Sequence, residues 1–152
     1  MRSLHICAAF VLALLLAAPI AAHADSRSFS AHLSGDEEVP PVETRAQGQA
    51  HFVLSKDGTT LHYKVNVANI EDVTASHIHI AEEGVNGPVA VTLFSGVPEG
   101  RIQGTLAEGD ITAADVTLGT FEELLARIRA GSAYVNVHTI ENPPGEIRGQ
   151  IR

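Results

Sequence analysis

Apolar and polar residues alternate along most of this chain, in short runs separated by turn residues. The runs cover residues 29–34, 48–54, 61–67, 75–80, 89–93, 102–106, 133–139 and 146–151. A period of two is typical of strands that are buried on one face. An Asp-Gly pair at 57–58 separates two of these runs and predicts a hairpin. In that hairpin Phe52 lies opposite Tyr63 and Leu54 opposite Leu61, which keeps all four on one face.

One segment follows the helical period instead. Its apolar residues, between 121 and 128, recur at i, i+3, i+4 and i+7 and form one stripe. Thr120 and Glu123 predict a capping box at the start, and Gly131 predicts the end. About seven or eight strands with one short helix near 120–130 predict an all-β fold, either a β-sandwich or a flattened barrel.

The first 24 residues predict a signal peptide. Arg2 precedes an uncharged apolar run at 6–18, and the sequence at 22–24 has the small-x-small pattern of a cleavage site. The run is short for a membrane span, although an uncleaved anchor is the alternative. We therefore expect residues 25–152 to form a periplasmic or secreted domain that does not associate with a membrane after cleavage.

Composition narrows the classes of partner. The only cysteine, Cys7, lies in the predicted signal peptide, so the exported domain would fold around an apolar core without a disulfide. Ten basic residues less Arg2 leave nine against 18 acidic ones, a net charge of −9 with histidine neutral. This charge argues against nucleic acid or an anionic membrane as a partner and is compatible with a cation.

Three histidines in two of the strand runs make the most specific chemical suggestion. His77 and His79 are two residues apart, so their side chains point to the same face, and His138 lies in a later run. If the two strands are neighbours, three imidazoles converge on one point and suit copper, zinc or nickel with a coordination position left open. The alternative is that they are polar surface residues. Because protonated imidazole does not bind metal, binding should weaken as the pH falls through about 6.5.

Four polar residues near these histidines are further candidates. Glu82 and Glu83 follow the first strand and are candidates for a fourth ligand, with simple solvation as the alternative. Asn136 and Glu146 are candidates for orienting a ring nitrogen, with strand-end hydrogen bonding as the alternative.

Other polar residues are predicted to lie on solvent-exposed surfaces without a specific role. His51 and His62 become diagonal neighbours on the exposed face of the hairpin, where an exposed cross-strand pair is expected and a weak surface metal site is the alternative. Arg148 and Arg152 alternate with Glu146 and Gln150 on the outer face of the last strand, where solvated charge is expected. The Glu-Val-Pro-Pro segment at 38–41 predicts a rigid loop that covers one end of a sheet.

Several motifs, in order along the chain, resemble the chordin-type (CHRD) domain. They are Gly35-x-x-Glu38-Val39-Pro40-Pro41-Val42, Ala75-Ser76-His77-Ile78-His79, Asn86-Gly87-Pro88-Val89, Asn136-Val137-His138-Thr139 and Gly145-Glu146-Ile147-Arg148-Gly149-Gln150-Ile151. The resemblance runs from Phe29 to the end of the chain. It implies a Greek-key β-sandwich, which in bacteria is often a lone exported domain.

The His-x-His strand and the later Val-x-His strand are also similar to the copper half of copper/zinc superoxide dismutase. This resemblance implies that His77, His79 and His138 are copper ligands, and it favours copper over zinc. The chain departs from that enzyme because residues 80–137 contain no histidine for a bridge or a zinc subsite, and the disulfide cysteines are missing. At most one mononuclear site is implied.

The leading hypothesis is therefore an exported protein that binds one copper ion for sequestration, tolerance or delivery in the periplasm. A copper redox enzyme of superoxide dismutase type is one alternative, which the acidic charge disfavours because it repels an anionic substrate. A protein-interaction scaffold without metal is the other, by analogy with the family. A protein partner and the oligomeric state stay open.

Overall fold

Eight antiparallel strands form one curved sheet in residues 26–97 and 99–152, the part of the chain that the computed structural model describes. The strands are β1 (Ser28–Ser34), β2 (Gln47–Leu54), β3 (Leu61–Glu71), β4 (Val73–Ile80), β5 (Val89–Ser95), β6 (Arg101–Ile111), β7 (Ala133–Thr139) and β8 (Ile147–Gln150). The described residues also form one α-helix, α1 (Phe121–Arg129), and two short 3-10 turns at Gly35–Glu37 and Ala113–Asp115.

The order of the strands across the sheet is β5-β4-β7-β8-β1-β2-β3-β6. The two edge strands, β5 and β6, lie close to each other, so the sheet forms a nearly closed barrel. The hydroxyl of Tyr63 on β3 crosses this gap and donates to the carbonyl of Leu93 on β5, at 2.8 Å. The predicted all-β fold of about seven or eight strands with one short helix is confirmed, with eight strands observed.

The hairpin of β2 and β3 has the predicted register. Phe52 pairs with Tyr63 and Leu54 with Leu61, and the alternate residues of β2 are exposed. Because one face of each strand projects inward, the buried apolar residues fill the barrel with a continuous core. Its largest members include Leu33, Phe52, Leu61, Ile70, Ile78, Ile111 and Ile147.

The helix α1 is capped as predicted and packs on this core. The Thr120 hydroxyl accepts a hydrogen bond from the Glu123 amide at 3.2 Å, and the Glu123 carboxylate accepts one from the Thr120 amide at 2.8 Å. Its buried residues are the predicted stripe of Phe121, Leu124, Leu125 and Ile128. Gly131, at φ +71°, follows the helix end.

The outer face of β4, β7 and β8 is covered, contrary to the expectation that its charged residues are solvated. We call it the covered face; it carries His77, His79, Tyr134, Asn136, His138, Arg148 and Gln150. Arg148 is only 1% exposed and Gln150 only 9%. The loops at 35–46 and 81–88 lie over this face and join each other where Asn86 Nδ2 donates to the Val39 carbonyl, at 2.7 Å.

Within residues 26–97 and 99–152, no helix has the length and apolar character needed to cross a membrane. The predicted signal peptide, residues 1–24, lies outside the described residues.

Candidate metal centre

The pairing of β4 with β7 brings the three predicted histidines together on the covered face. His77 is opposite Asn136 and His79 is opposite Tyr134, while His138 is opposite Ala75 and therefore diagonal to His77. The ring centroids of His77 and His138 are 4.9 Å apart, and those of the other two pairs are 5.7 and 5.8 Å apart. One ring nitrogen of each histidine lies within 4.8 Å of the other two.

Two of the rings are oriented by main-chain carbonyl groups. Nδ1 of His79 lies 2.9 Å from the Gly87 oxygen, and Nδ1 of His138 lies 3.0 Å from the Pro143 oxygen. Because a carbonyl oxygen only accepts, each Nδ1 carries the proton and each Nε2 keeps its lone pair. Nε2 of His138 lies 3.0 Å from Nδ1 of His77, and the buried Nε2 of His79 has no hydrogen-bond partner. In the metal-free chain His77 Nδ1 therefore donates to His138 Nε2. To bind a metal through Nδ1, His77 would take the tautomer that has its proton on Nε2.

Burial keeps these rings neutral. It lowers the pKa of His77 from 6.5 to about 4, with help from the nearby charges of His138 and His79. Burial also lowers the pKa of His79 and of His138, although the hydrogen bonds to the carbonyls oppose this. Neutral imidazole is the form that binds metal, so the lowered pKa values move the expected loss of binding to a pH below the 6.5 assumed from the sequence.

Tyr134 and Arg148 form one wall of the cluster. The Tyr134 ring stacks on His79 with centroids 4.9 Å apart, and its oxygen accepts a hydrogen bond from the Gly87 amide at 3.1 Å. The Arg148 guanidinium lies 3.5 Å from the centre of the Tyr134 ring. It also donates to three oxygens of the 81–88 loop, the carbonyls of Glu82 and Val85 and the Asn86 side chain. Arg148 thus fixes the loop whose Gly87 carbonyl orients His79.

A buried carboxyl lies beside the cluster. Glu38, in the loop after β1, is 6% exposed, and burial raises its pKa from 4.5 to about 7 against the opposing charge of Arg148. Its Oε1 and the Oδ1 of Asn136 are buried without a hydrogen-bond partner. Nothing in the sequence distinguishes Glu38 as a site residue, because a glutamate in a proline-rich loop is ordinarily exposed.

The other candidates from the sequence have partners of their own. Glu82 accepts a hydrogen bond from the Ser132 hydroxyl at 2.7 Å, and Glu83 is paired with Arg152. The carboxylate of Glu146 accepts hydrogen bonds from two threonine hydroxyls, those of Thr44 and Thr139. Within the described residues, the group of His, Cys, Asp and Glu side chains close enough to share one ion contains the three histidines and none of these glutamates.

The arrangement suits a metal ion that prefers nitrogen ligands. Imidazole binds copper, zinc and nickel, and three such ligands leave a position for water or an exogenous group. A ring Nδ1–H donated to a backbone carbonyl is the usual way in which proteins orient a metal-binding histidine. The donor set therefore fits the predicted copper ion, and it fits zinc as well.

Comparison with known proteins agrees with the motifs. A family model described as the CHRD domain matches residues 29–151. Chordin from Xenopus laevis is 32% identical over 127 residues, which cover 78% of this chain and 12% of that protein. Chordin from Danio rerio is 34% identical over 127 residues, with the same coverage. The chain thus spans about one eighth of these relatives, and the similarity to superoxide dismutase stays a prediction. This chain belongs to the CHRD domain family.

Proposed function

We propose that this domain binds one copper ion through His77 Nδ1, His79 Nε2 and His138 Nε2. The observation that carries the proposal is the grouping of one nitrogen from each ring within 4.8 Å of the other two, with two of the rings oriented by main-chain carbonyls. Leaving the buried Nε2 of His79 without a partner costs free energy in the metal-free chain. A metal–nitrogen bond would satisfy this atom.

Copper is the metal that the donor set supports best. Among the divalent first-row ions, Cu²⁺ binds most tightly to a given nitrogen site. Residues 25–152 contain no cysteine or methionine, so sulfur does not compete as a ligand. With the predicted signal peptide, the role that follows is metal handling in the periplasm or outside the cell, namely sequestration, tolerance or delivery.

Titration of residues 25–152 with Cu²⁺ and Zn²⁺ tests the proposal. We expect one saturable copper site with the absorption and paramagnetic-resonance signals of nitrogen ligands, and tighter binding of copper than of zinc. The variant His77→Ala/His79→Ala should lose this site. The matched control is His51→Ala/His62→Ala, which removes two exposed histidines of the hairpin. Equal weak binding by the wild type and the His77→Ala/His79→Ala variant would refute the proposal.

A second candidate is a protein-interaction module. It is supported by the family, because the Chordin relatives contain the matching segment as only 12% of a longer chain. On this hypothesis the histidines are incidental to function. The same titration separates the two candidates, since an interaction module needs no difference in copper affinity between the wild type and the variant without His77 and His79.

A further inference from the structure

Buried acceptors without partners gather around the histidine cluster. Within residues 26–97 and 99–152, four buried side-chain atoms lack a hydrogen-bond partner: Glu38 Oε1, Ser76 Oγ, His79 Nε2 and Asn136 Oδ1. Three of these belong to the covered face or to the loop that lies over it. Glu38 and Asn136 lie side by side at Gly145, and the Asn136 amide also hydrogen-bonds the Glu38 carboxylate. The unpaired Nε2 of His79 is costly in the metal-free chain, and a bound cation would remove that cost.

Asn136 links Glu38 to the histidines. It is directly opposite His77 in the β4–β7 pairing and two residues before His138, so all three side chains are on one face. Its amide and the Glu38 carboxyl meet at Gly145. A methyl group in place of the Gly145 hydrogen would lie 2.4 Å from Asn136 Oδ1 and 2.6 Å from Glu38 Oε1. The Glu38 carboxyl is therefore one side chain away from the cluster.

The charges around the cluster leave a role for an anion. The fixed charge on this face is the buried guanidinium of Arg148, which acts on both Glu38 and His79. The three neutral rings of β4 and β7 would add no negative charge to offset a divalent ion. Glu146, the other buried carboxylate near β8, is already held by two hydroxyl groups. Glu38 is the buried carboxyl that contacts Asn136, the neighbour of His77 across the β4–β7 pairing.

We infer that Glu38 supplies the counter-charge of the copper centre, acting through Asn136 and the water that completes the coordination of the ion. This inference rests on the proposed function. When Cu²⁺ binds, the protonated Glu38 carboxyl releases its proton to the buffer and the carboxylate remains; no electron is transferred. Glu38 is thus a positioning residue and not a metal ligand. Because burial raises the pKa of Glu38 to about 7, this carboxyl is protonated in about half of the metal-free molecules near pH 7.

Calorimetric titration with Cu²⁺ in buffers of different ionisation enthalpy tests this inference, because it measures affinity and released protons together. The variant Glu38→Gln keeps the shape of the side chain and removes the charge. We expect it to bind one copper ion about 10–100-fold more weakly at pH 8, the usual effect of losing a group behind the ligands. At pH 7 it should release about half a proton less than the wild type. The control Glu37→Gln changes the neighbouring exposed carboxylate and should match the wild type.

Failure of this inference differs from failure of the proposed function. If Glu38→Gln binds copper as tightly as the wild type and releases as many protons, Glu38 is not the counter-charge, although copper binding stands. If the wild type itself lacks a saturable copper site, the proposed function fails. If Glu38→Gln does not fold, the pH dependence of proton release by the wild type tests the inference instead. That release must fall between pH 6 and pH 8, and constant release would overturn the inference.

Discussion

A methyl group at Gly87 should damage the candidate metal centre without touching a histidine. Gly87 Cα lies so close to the end of β4 that an added Cβ would be 2.0 Å from the Ile80 carbonyl oxygen and 2.7 Å from its carbon. Cβ atoms essentially never approach closer than 3.0 Å, so the loop must move by about 1 Å. We expect that movement to lengthen the 2.9 Å bond between His79 Nδ1 and the Gly87 oxygen beyond hydrogen-bonding range.

The expected magnitude follows from the bonds that Gly87 makes. Gly87→Ala would lose the hydrogen bond to His79 and the one from its own amide to the Tyr134 oxygen, each worth about 1 kcal/mol. With residual strain, we expect the free energy of unfolding of the metal-free chain to fall by about 2–3 kcal/mol. Copper affinity should fall about 10–100-fold, because the His79 ring is no longer fixed in one tautomer.

Gly84→Ala is the matched control in the same loop. Gly84 is at φ +76° with open space around its Cα, so alanine costs only about 1 kcal/mol of backbone strain and collides with nothing. Urea unfolding followed by circular dichroism and a Cu²⁺ titration should be run on both variants. If Gly87→Ala binds copper within about threefold of Gly84→Ala, the carbonyl anchor does not matter and the argument for the centre is refuted.

Three further predictions concern the covered face, the histidines and the helix. Arg148→Met should lower the free energy of unfolding, measured in urea, by about 3 kcal/mol, because three loop oxygens lose a charged donor. The control Arg129→Met, on the exposed side of α1, should change it by less than about 0.5 kcal/mol. The folded pKa of His77 is about 4 against 6.5 unfolded, so the unfolded chain binds more protons between these values. Stability of the metal-free chain should therefore fall as the pH falls from 6.5 towards 4, and less so in His77→Ala, as measured by unfolding at pH 7 and pH 5. Thr120→Ala should cost about 1 kcal/mol in thermal unfolding because the capping box is lost, and a loss near zero would contradict this role.

Local patterns in the sequence were sufficient for the hairpin and the helix. An Asp-Gly turn and two alternating runs determine which residues can face each other, and the Phe52–Tyr63 pair followed from that register. The capping box of Thr120 and Glu123 is also a local feature, since both partners lie within one turn of helix. Such features need no knowledge of the rest of the chain.

The histidine cluster was predictable in part. Alternation places His77 and His79 on one face, but only the pairing of β4 with β7 brings His138 to them, and this depends on the strand order. The groups that orient the rings were not predictable. They are the carbonyls of Gly87 and Pro143, and a main-chain oxygen leaves no signature in the residue type.

Burial of the outer face was the main error of the sequence analysis. Alternation indicates which residues point away from the barrel core, but it does not show whether a loop covers them. Arg148 was therefore expected in solvent, and its burial depends on oxygens of residues 82–86, more than 60 positions away in the chain. The burial of Glu38 was missed for the same reason.

The separation of the histidines along the chain has a consequence for the order of events during folding. His77 and His138 are 61 positions apart, and the third nitrogen comes within reach only when β7 docks against β4. In an unfolded chain, only His77 and His79 of the three proposed ligands are already close together. We therefore expect that copper does not promote folding of this chain, and that it binds with three ligands only after the barrel has formed.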